Sequence, residues 1–212
     1  VAAVKAKDSP AVTFWLGVNA GVFIALGAQF ATLVISDSGL HAGLTAVVGA
    51  ICFCLGLIMV VVGGAELFTG NCMIFIGYLD KRITTRRIVD HWTISLIGNF
   101  VGSLIVVFFV YKAHQFSFYD YMVGGKALLI ANKKVNLTFP AAFSKAVLCN
   151  AMVCMAVWVC FSARNVADKI MTLVFPIAGF VASGFEHLVA NMYFIPMGII
   201  LKGKPEVVAA AE

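Results

Sequence analysis

Apolar residues run in long blocks along this chain, and polar positions collect between the blocks. The stretches 14–35, 43–64, 91–111 and 139–161 are apolar almost throughout. Each supplies the roughly 20 residues that a helix rising about 1.5 Å per residue needs to cross a hydrocarbon core about 30 Å thick. A fifth stretch, 169–201, is longer than one crossing and is interrupted at Gly184-Phe-Glu-His187. The pattern predicts an all-α polytopic membrane protein with five visible spans in a single transmembrane domain, 1–212. The first block is too long for the apolar core of a signal peptide and is followed by further spans, so it is expected to remain in the protein.

Composition agrees with this reading. The chain is 62% hydrophobic and 12% charged, with a mean hydropathy of +1.00, and such a chain lacks the polar residues to cover a soluble surface. The net charge of +5 resides mostly in lysines and arginines between spans and implies no nucleic-acid partner. With a cytoplasmic N-terminus, the inner segments hold Lys5, Lys7, Lys81, Arg82, Arg86, Arg87, Arg164 and Lys169. The outer ones hold Lys112, Lys126, Lys133, Lys134, Lys202 and Lys204, a small inside excess sharpened by the compact 81–87 cluster. That orientation in a plasma (inner) membrane is the expected one. Six cysteines lie in or beside the spans without zinc-ligand spacing, so packing is their expected role, and no metal or cofactor is implied.

Two interruptions share a frame. Gly64-Ala-Glu66-Leu-Phe-Thr69-Gly-Asn71 and Gly184-Phe-Glu186-His187-Leu-Val-Ala-Asn191 both read Gly-x-Glu-x-x-x-x-Asn, and Asn19 in the first span is weakly echoed by Asn150 in the fourth. The expected architecture is an inverted repeat of three spans each, 14–111 and an incomplete 139–201, with one broken helix per repeat. Breaks of this kind put a substrate path at the repeat interface. A counterpart to the third span is expected after residue 201; this sequence does not contain that sixth span.

Glycine suits the torsions of a break. Unwound backbone inside a bilayer exposes amides and carbonyls that need partners. Glu66, Asn71, Glu186 and Asn191 are therefore expected to brace the breaks. His187 is the deepest histidine and is the candidate for meeting a substrate, since an intramembrane ionisable group is a functional suspect by default. Burial favours its neutral form and an approaching anion its charged form, so it can donate a hydrogen bond or a proton. Thr69 offers a hydroxyl from the other break, with an ordinary helix back-bond as the competing role. Phe53, Phe68 and Phe180 are candidates for an apolar constriction. Lys133 and Lys134, ahead of the fourth span, can raise anion concentration at an outer mouth. Lys145, inside the fourth span, can snorkel, brace a neighbouring repeat or line a vestibule. Gly17-x-x-x-Gly21 and Gly98-x-x-x-Gly102 mark close helix contacts.

With 64–71, Leu148-Cys-Asn-Ala-Met-Val-Cys154 and 184–192 in order, the chain resembles the formate/nitrite transporter family from the first span to Met197. Ala151 and Met155 depart slightly from the family pattern. The resemblance implies an aquaporin-like fold assembled as a homopentamer in the lipid bilayer, with a pore in each protomer for a small weak-acid anion: formate, nitrite or hydrosulfide. By motif position it makes Thr69 and His187 the central polar pair and Asn150 a neighbour of the path. Phe53 would form an outer slit, Leu57, Leu67 and Phe180 an inner one, and Lys134 would stand in the vestibule. A competing reading is a neutral-solute channel of the aquaglyceroporin type. An enzyme is not expected, because Ser183 and His187 lie too close on one chain segment to work as nucleophile and base.

Overall fold

The computed structural model describes residues 9–212, so Lys5 and Lys7 of the orientation argument lie outside the described residues. The described residues form helices and short 3-10 turns. Four helices are long and apolar enough to cross a membrane: α1 (Pro10–Ser36), α2 (Ala42–Val62), α5 (Thr85–Lys112) and α7 with its 3-10 extension (Phe139–Ser162). Ser9 caps α1 by accepting the Val12 N–H, with Pro10 at the first helical position, and Thr84 caps α5 through the Arg87 N–H.

The expected fifth span is two helices, α8 (Val166–Ala182) and α9 (Leu188–Leu201). Likewise α2 stops at Val62 and the chain resumes as two short helices, α3 (Phe68–Asn71) and α4 (Ile74–Leu79). Both interruptions are built alike. Gly64 and Gly184 take φ of +70° and +68°, the left-handed region that side-chain-bearing residues avoid. The Ala65 N–H returns to the Val60 carbonyl (2.9 Å) and the Phe185 N–H to the Phe180 carbonyl (3.1 Å), closing a Schellman motif at each helix end. Leu67 and His187 then occupy matching extended N-cap positions, with φ/ψ of −91°/123° and −102°/117°.

Between the third and fourth spans, Met122–Val135 forms a further helix, α6, with Lys133 and Lys134 in its last turn. It is too short and too polar to register as a span, yet it packs on α9 and α1.

Helix α1 runs through the middle of the bundle, against α2, α5, α6 and α9. Its approach to α5 brings backbone onto backbone. A Cβ on Gly21 would stand 2.1 Å from the Asn99 carbonyl oxygen, and one on Gly102 2.0 Å from that of Val18. Absence of side chains at these positions sets the spacing, as small residues do between membrane helices. Helix α2 packs on α8, α7 packs on α8 and α3, and the N-terminal ends of α3 and α9 meet inside the bundle. A short C-terminal helix, α10 (Pro205–Ala209), lies on α6.

Candidate functional site

Two restarting helices aim their first turns at one point. There the Thr69 Oγ1 lies 2.9 Å from His187 Nε2, both groups buried, 5% and 4% exposed. His187 is itself the N-cap of α9: its Nδ1 accepts the Ala190 N–H at 3.1 Å. A ring nitrogen that accepts carries no proton, so in the neutral imidazole the hydrogen is on Nε2. The chain of hydrogen bonds therefore has a direction. Ala190 donates to Nδ1, Nε2–H donates to Thr69 Oγ1, and the threonine hydroxyl proton is left to point elsewhere.

The walls of this point are apolar. Phe180 stacks on the imidazole, ring centroids 5.9 Å apart, and Phe53 meets it edge-on at 6.5 Å. Phe53 and Phe180 contact each other at 6.1 Å. Phe180 thus stands with Phe53 at the imidazole. Leu57 and Leu67 line a cavity of about 540 Å³, walled also by Val60, Asn71, Val157 and Lys169. Phe68 packs its ring on Trp92, centroids 6.4 Å apart.

Asn150, half-buried on α7, faces α3. Its Nδ2 donates to Cys154 Sγ at 3.9 Å, that thiol in turn reaches the Thr69 carbonyl at 3.8 Å, and the buried Oδ1 has no hydrogen-bond partner among the described residues.

Each break is gripped by charged and polar side chains. At the second, Lys134 Nζ donates to Glu186 Oε2 at 2.8 Å and Asn191 Nδ2 donates to the same oxygen at 2.9 Å. Lys134 also lies over the Phe194 ring, 5.2 Å from its centroid. It is thus a partnered cation on α6, tied to the break itself, rather than a free charge in solvent. At the first, Glu66 Oε2 is 3.6 Å from His91 Nε2, and the Glu66 N–H donates to the Leu16 carbonyl at 3.1 Å. The Asn71 carbonyl accepts the Trp92 indole N–H at 2.9 Å.

Several participants carry no motif of their own. His91, Trp92 and Asn99 come from α5, and the Ala190 contribution is a backbone amide that no side-chain pattern reveals. Asn99 did leave a trace in the sequence, as a carboxamide inside an apolar span. Farther from the breaks, the Tyr193 hydroxyl donates to Gln29 Oε1 and Gln29 Nε2 donates to Gln115 Oε1 (2.8 Å). Among the described residues no group of three or more His, Cys, Asp or Glu side chains is arranged to hold a metal ion.

This architecture has known counterparts. The family model described as formate/nitrite transporter matches residues 1–211. The chain is 42% identical over 197 residues to the formate channel FocA of Haemophilus influenzae, covering 92% of this chain and 69% of that protein. It is 40% identical over 199 residues to FocA of Escherichia coli K12, covering 93% and 70%. Among solved structures, it superposes on one described as a pentameric formate channel with formate bound, with a TM-score of 0.87, 36% identity, and coverage of 95% of this chain and 80% of that one. A structure described as an FNT family ion channel shares the fold at a TM-score of 0.83 and 22% identity, covering 99% and 91%. The chain belongs to the formate/nitrite transporter family and is a multi-pass membrane transport protein.

Proposed function

We propose that the chain conducts formate across the plasma membrane, as one protomer of a homopentamer with a pore in each subunit, N-terminus in the cytoplasm. The observation that carries this reading is the Thr69–His187 hydrogen bond at 2.9 Å between two apolar rings, where the two helix interruptions converge. Support for the substrate and the assembly comes from the relative whose structure is described as pentameric with formate bound, and from the FocA relatives named as formate channels. The matching geometry of the two breaks supports reading 14–111 and 139–201 as inverted repeats.

The physics of passage follows from the surroundings. An unpaired carboxylate loses hydration between Phe53, Phe180 and the neighbouring leucines, and that loss is very costly in an apolar medium. Lys169, on the wall of the cavity, favours anion approach electrostatically. Thr69 then donates its free O–H to the anion, oriented by the imidazole behind it. A charge-assisted hydrogen bond of this type is stronger than a neutral one. For full crossing the anion takes up a proton, HCOO⁻ plus H⁺ giving HCOOH, and the neutral acid passes the apolar slit.

The imidazole is poorly arranged to supply that proton. To become imidazolium it must add a proton at Nδ1, the atom that already accepts the Ala190 N–H. We therefore assign His187 the role of hydrogen-bond donor through Thr69, with water at the mouth supplying the proton. Nitrite and hydrosulfide are further monovalent substrates of the same chemistry. A neutral-solute pore is the less favoured reading, since the relatives are named for an anion.

Purified protein in liposomes tests the proposal. Formate, nitrite, hydrosulfide and glycerol fluxes are compared at two pH values. Formate flux above protein-free liposomes, rising at the more acidic pH, is expected; glycerol flux without formate flux would remove the reading.

A further inference from the structure

Thr69 has to face His187 from a helix only four residues long, α3, whose own hydrogen bonds cannot hold its position. Three bonds from one side chain of another helix do so. Asn99, fully buried on α5, donates through Nδ2 to the Gly17 carbonyl of α1 at 2.8 Å and to the Glu66 carbonyl of the break at 2.9 Å. Its Oδ1 accepts the Phe68 N–H at 2.9 Å. Both donors are in use, and the acceptor holds the amide of the residue next to Thr69. The pair of break contacts flanks Leu67, so the carboxamide spans the start of α3 like a peptide group from a neighbouring strand.

We propose that Asn99 is the positioning residue for the Thr69 hydroxyl: by holding Glu66 and Phe68 from both sides of the α3 N-cap, it sets where that hydroxyl stands relative to His187. This rests on the conduction reading above. The close α1–α5 contact is what lets one carboxamide reach two helices and the break. With Gly17, Gly21, Gly98 and Gly102 at the crossing, the backbones touch, and the Gly17 carbonyl comes within range of Asn99. Trp92 secures the other end of α3 through the Asn71 carbonyl, so α5 acts as the rail on which α3 is mounted. The serines of α5 are engaged elsewhere: Ser95 bonds the Trp92 carbonyl of its own helix, and Ser103 reaches the Gly21 carbonyl on α1.

The test uses two independent readouts on the reconstituted full chain. Asn99→Ala, Thr69→Val and the double variant are compared for formate flux, and amide exchange is followed across 66–71. Misplacement of a reacting group by about an ångström costs up to a hundredfold in rate. Asn99→Ala is expected to lower flux about tenfold or more. The double variant should be no worse than Thr69→Val alone, because Asn99 acts through Thr69. Faster exchange at Phe68, with the α7 and α9 amides unchanged, is expected in the same variant. Should Asn99→Ala fail to assemble, Asn99→Ser, whose short hydroxyl cannot span the break, carries the same comparison. Wild-type flux in the single variant, additive losses in the double one, or unchanged Phe68 exchange would overturn the proposal. Absence of formate flux in the wild type, with Phe68 exchange still raised by Asn99→Ala, would sink the conduction reading and leave the positioning of α3 standing.

Discussion

Lys134 and Glu186 form an ion pair at 2.8 Å, with only 14% and 13% of their side chains exposed, and the pair ties α6 to the loop that carries His187. Glu186 receives Asn191 at the same oxygen, so the lysine is part of a shared clamp. Removing one partner leaves the other charge without compensation in a poorly solvated place, a loss that typically costs about 3 kcal/mol or more. Lys134→Met is accordingly expected to lower the thermal midpoint of the solubilised protein markedly. The double variant Lys134→Met with Glu186→Gln should recover most of that loss. Equal destabilisation of single and double variants would show that the pair does not brace the break.

The direction of the hydrogen-bond chain makes the Thr69 hydroxyl the group that meets the anion. Thr69→Val keeps the shape and removes the O–H. A hydrogen bond to a charged group is worth about 1.5–3 kcal/mol, so formate flux should fall roughly tenfold to a hundredfold. Thr69→Ser should retain most of it. Liposome flux at fixed pH distinguishes the two, and a fully active valine variant would exclude the hydroxyl from the path.

His187 holds two functions that a substitution can separate. Asn is a good N-cap and can accept the Ala190 N–H, but its shorter side chain does not extend to the position of Nε2. His187→Asn should therefore fold, conduct weakly, and still show flux that rises as pH falls, because the proton comes from water. His187→Phe loses the cap as well and should be less stable by about 1 kcal/mol. A His187→Asn protein that conducts formate with no pH dependence would instead make the imidazole the proton source.

The glycines of the breaks and of the helix crossing fail for different reasons. No atom lies within 4 Å of a Cβ built on Gly184, so Gly184→Ala meets only the torsional cost of a positive φ, about 1–2 kcal/mol. Gly184→Asn should regain part of it. A Cβ on Gly21 would stand 2.1 Å from a backbone carbonyl oxygen of α5, which has nowhere to go, and Gly21→Ala should prevent assembly. Size-exclusion profiles and thermal midpoints of the three variants check the order.

Some of this was written in local sequence. The membrane crossings follow from apolar length, which is a property of each segment alone. The breaks followed as well, since Gly64 and Gly184 occur where a Cβ-bearing residue would resist the left-handed turn, each ahead of a Glu and an Asn. Even the likeness of the two breaks could be read from their shared spacing. Helix α6 was less visible, because its modest length and two terminal lysines resemble a polar connection, and what stabilises it is packing on α9.

What faces what was decided only in three dimensions. Thr69 and His187 are separated by 118 positions; the family resemblance pairs them, but no spacing rule within the chain does. Phe180 joined Phe53 because α8 packs on α2 in a particular rotation, which hydropathy does not encode. The tautomer of His187 depends on a backbone amide, and the place of Thr69 depends on a carboxamide from another helix. Hydrophobic length and backbone torsion are carried by each residue and its immediate neighbours, so the chain specifies them on its own. Hydrogen-bond partners drawn from separate helices exist only once those helices have packed, and the working geometry of this protein consists of such partners.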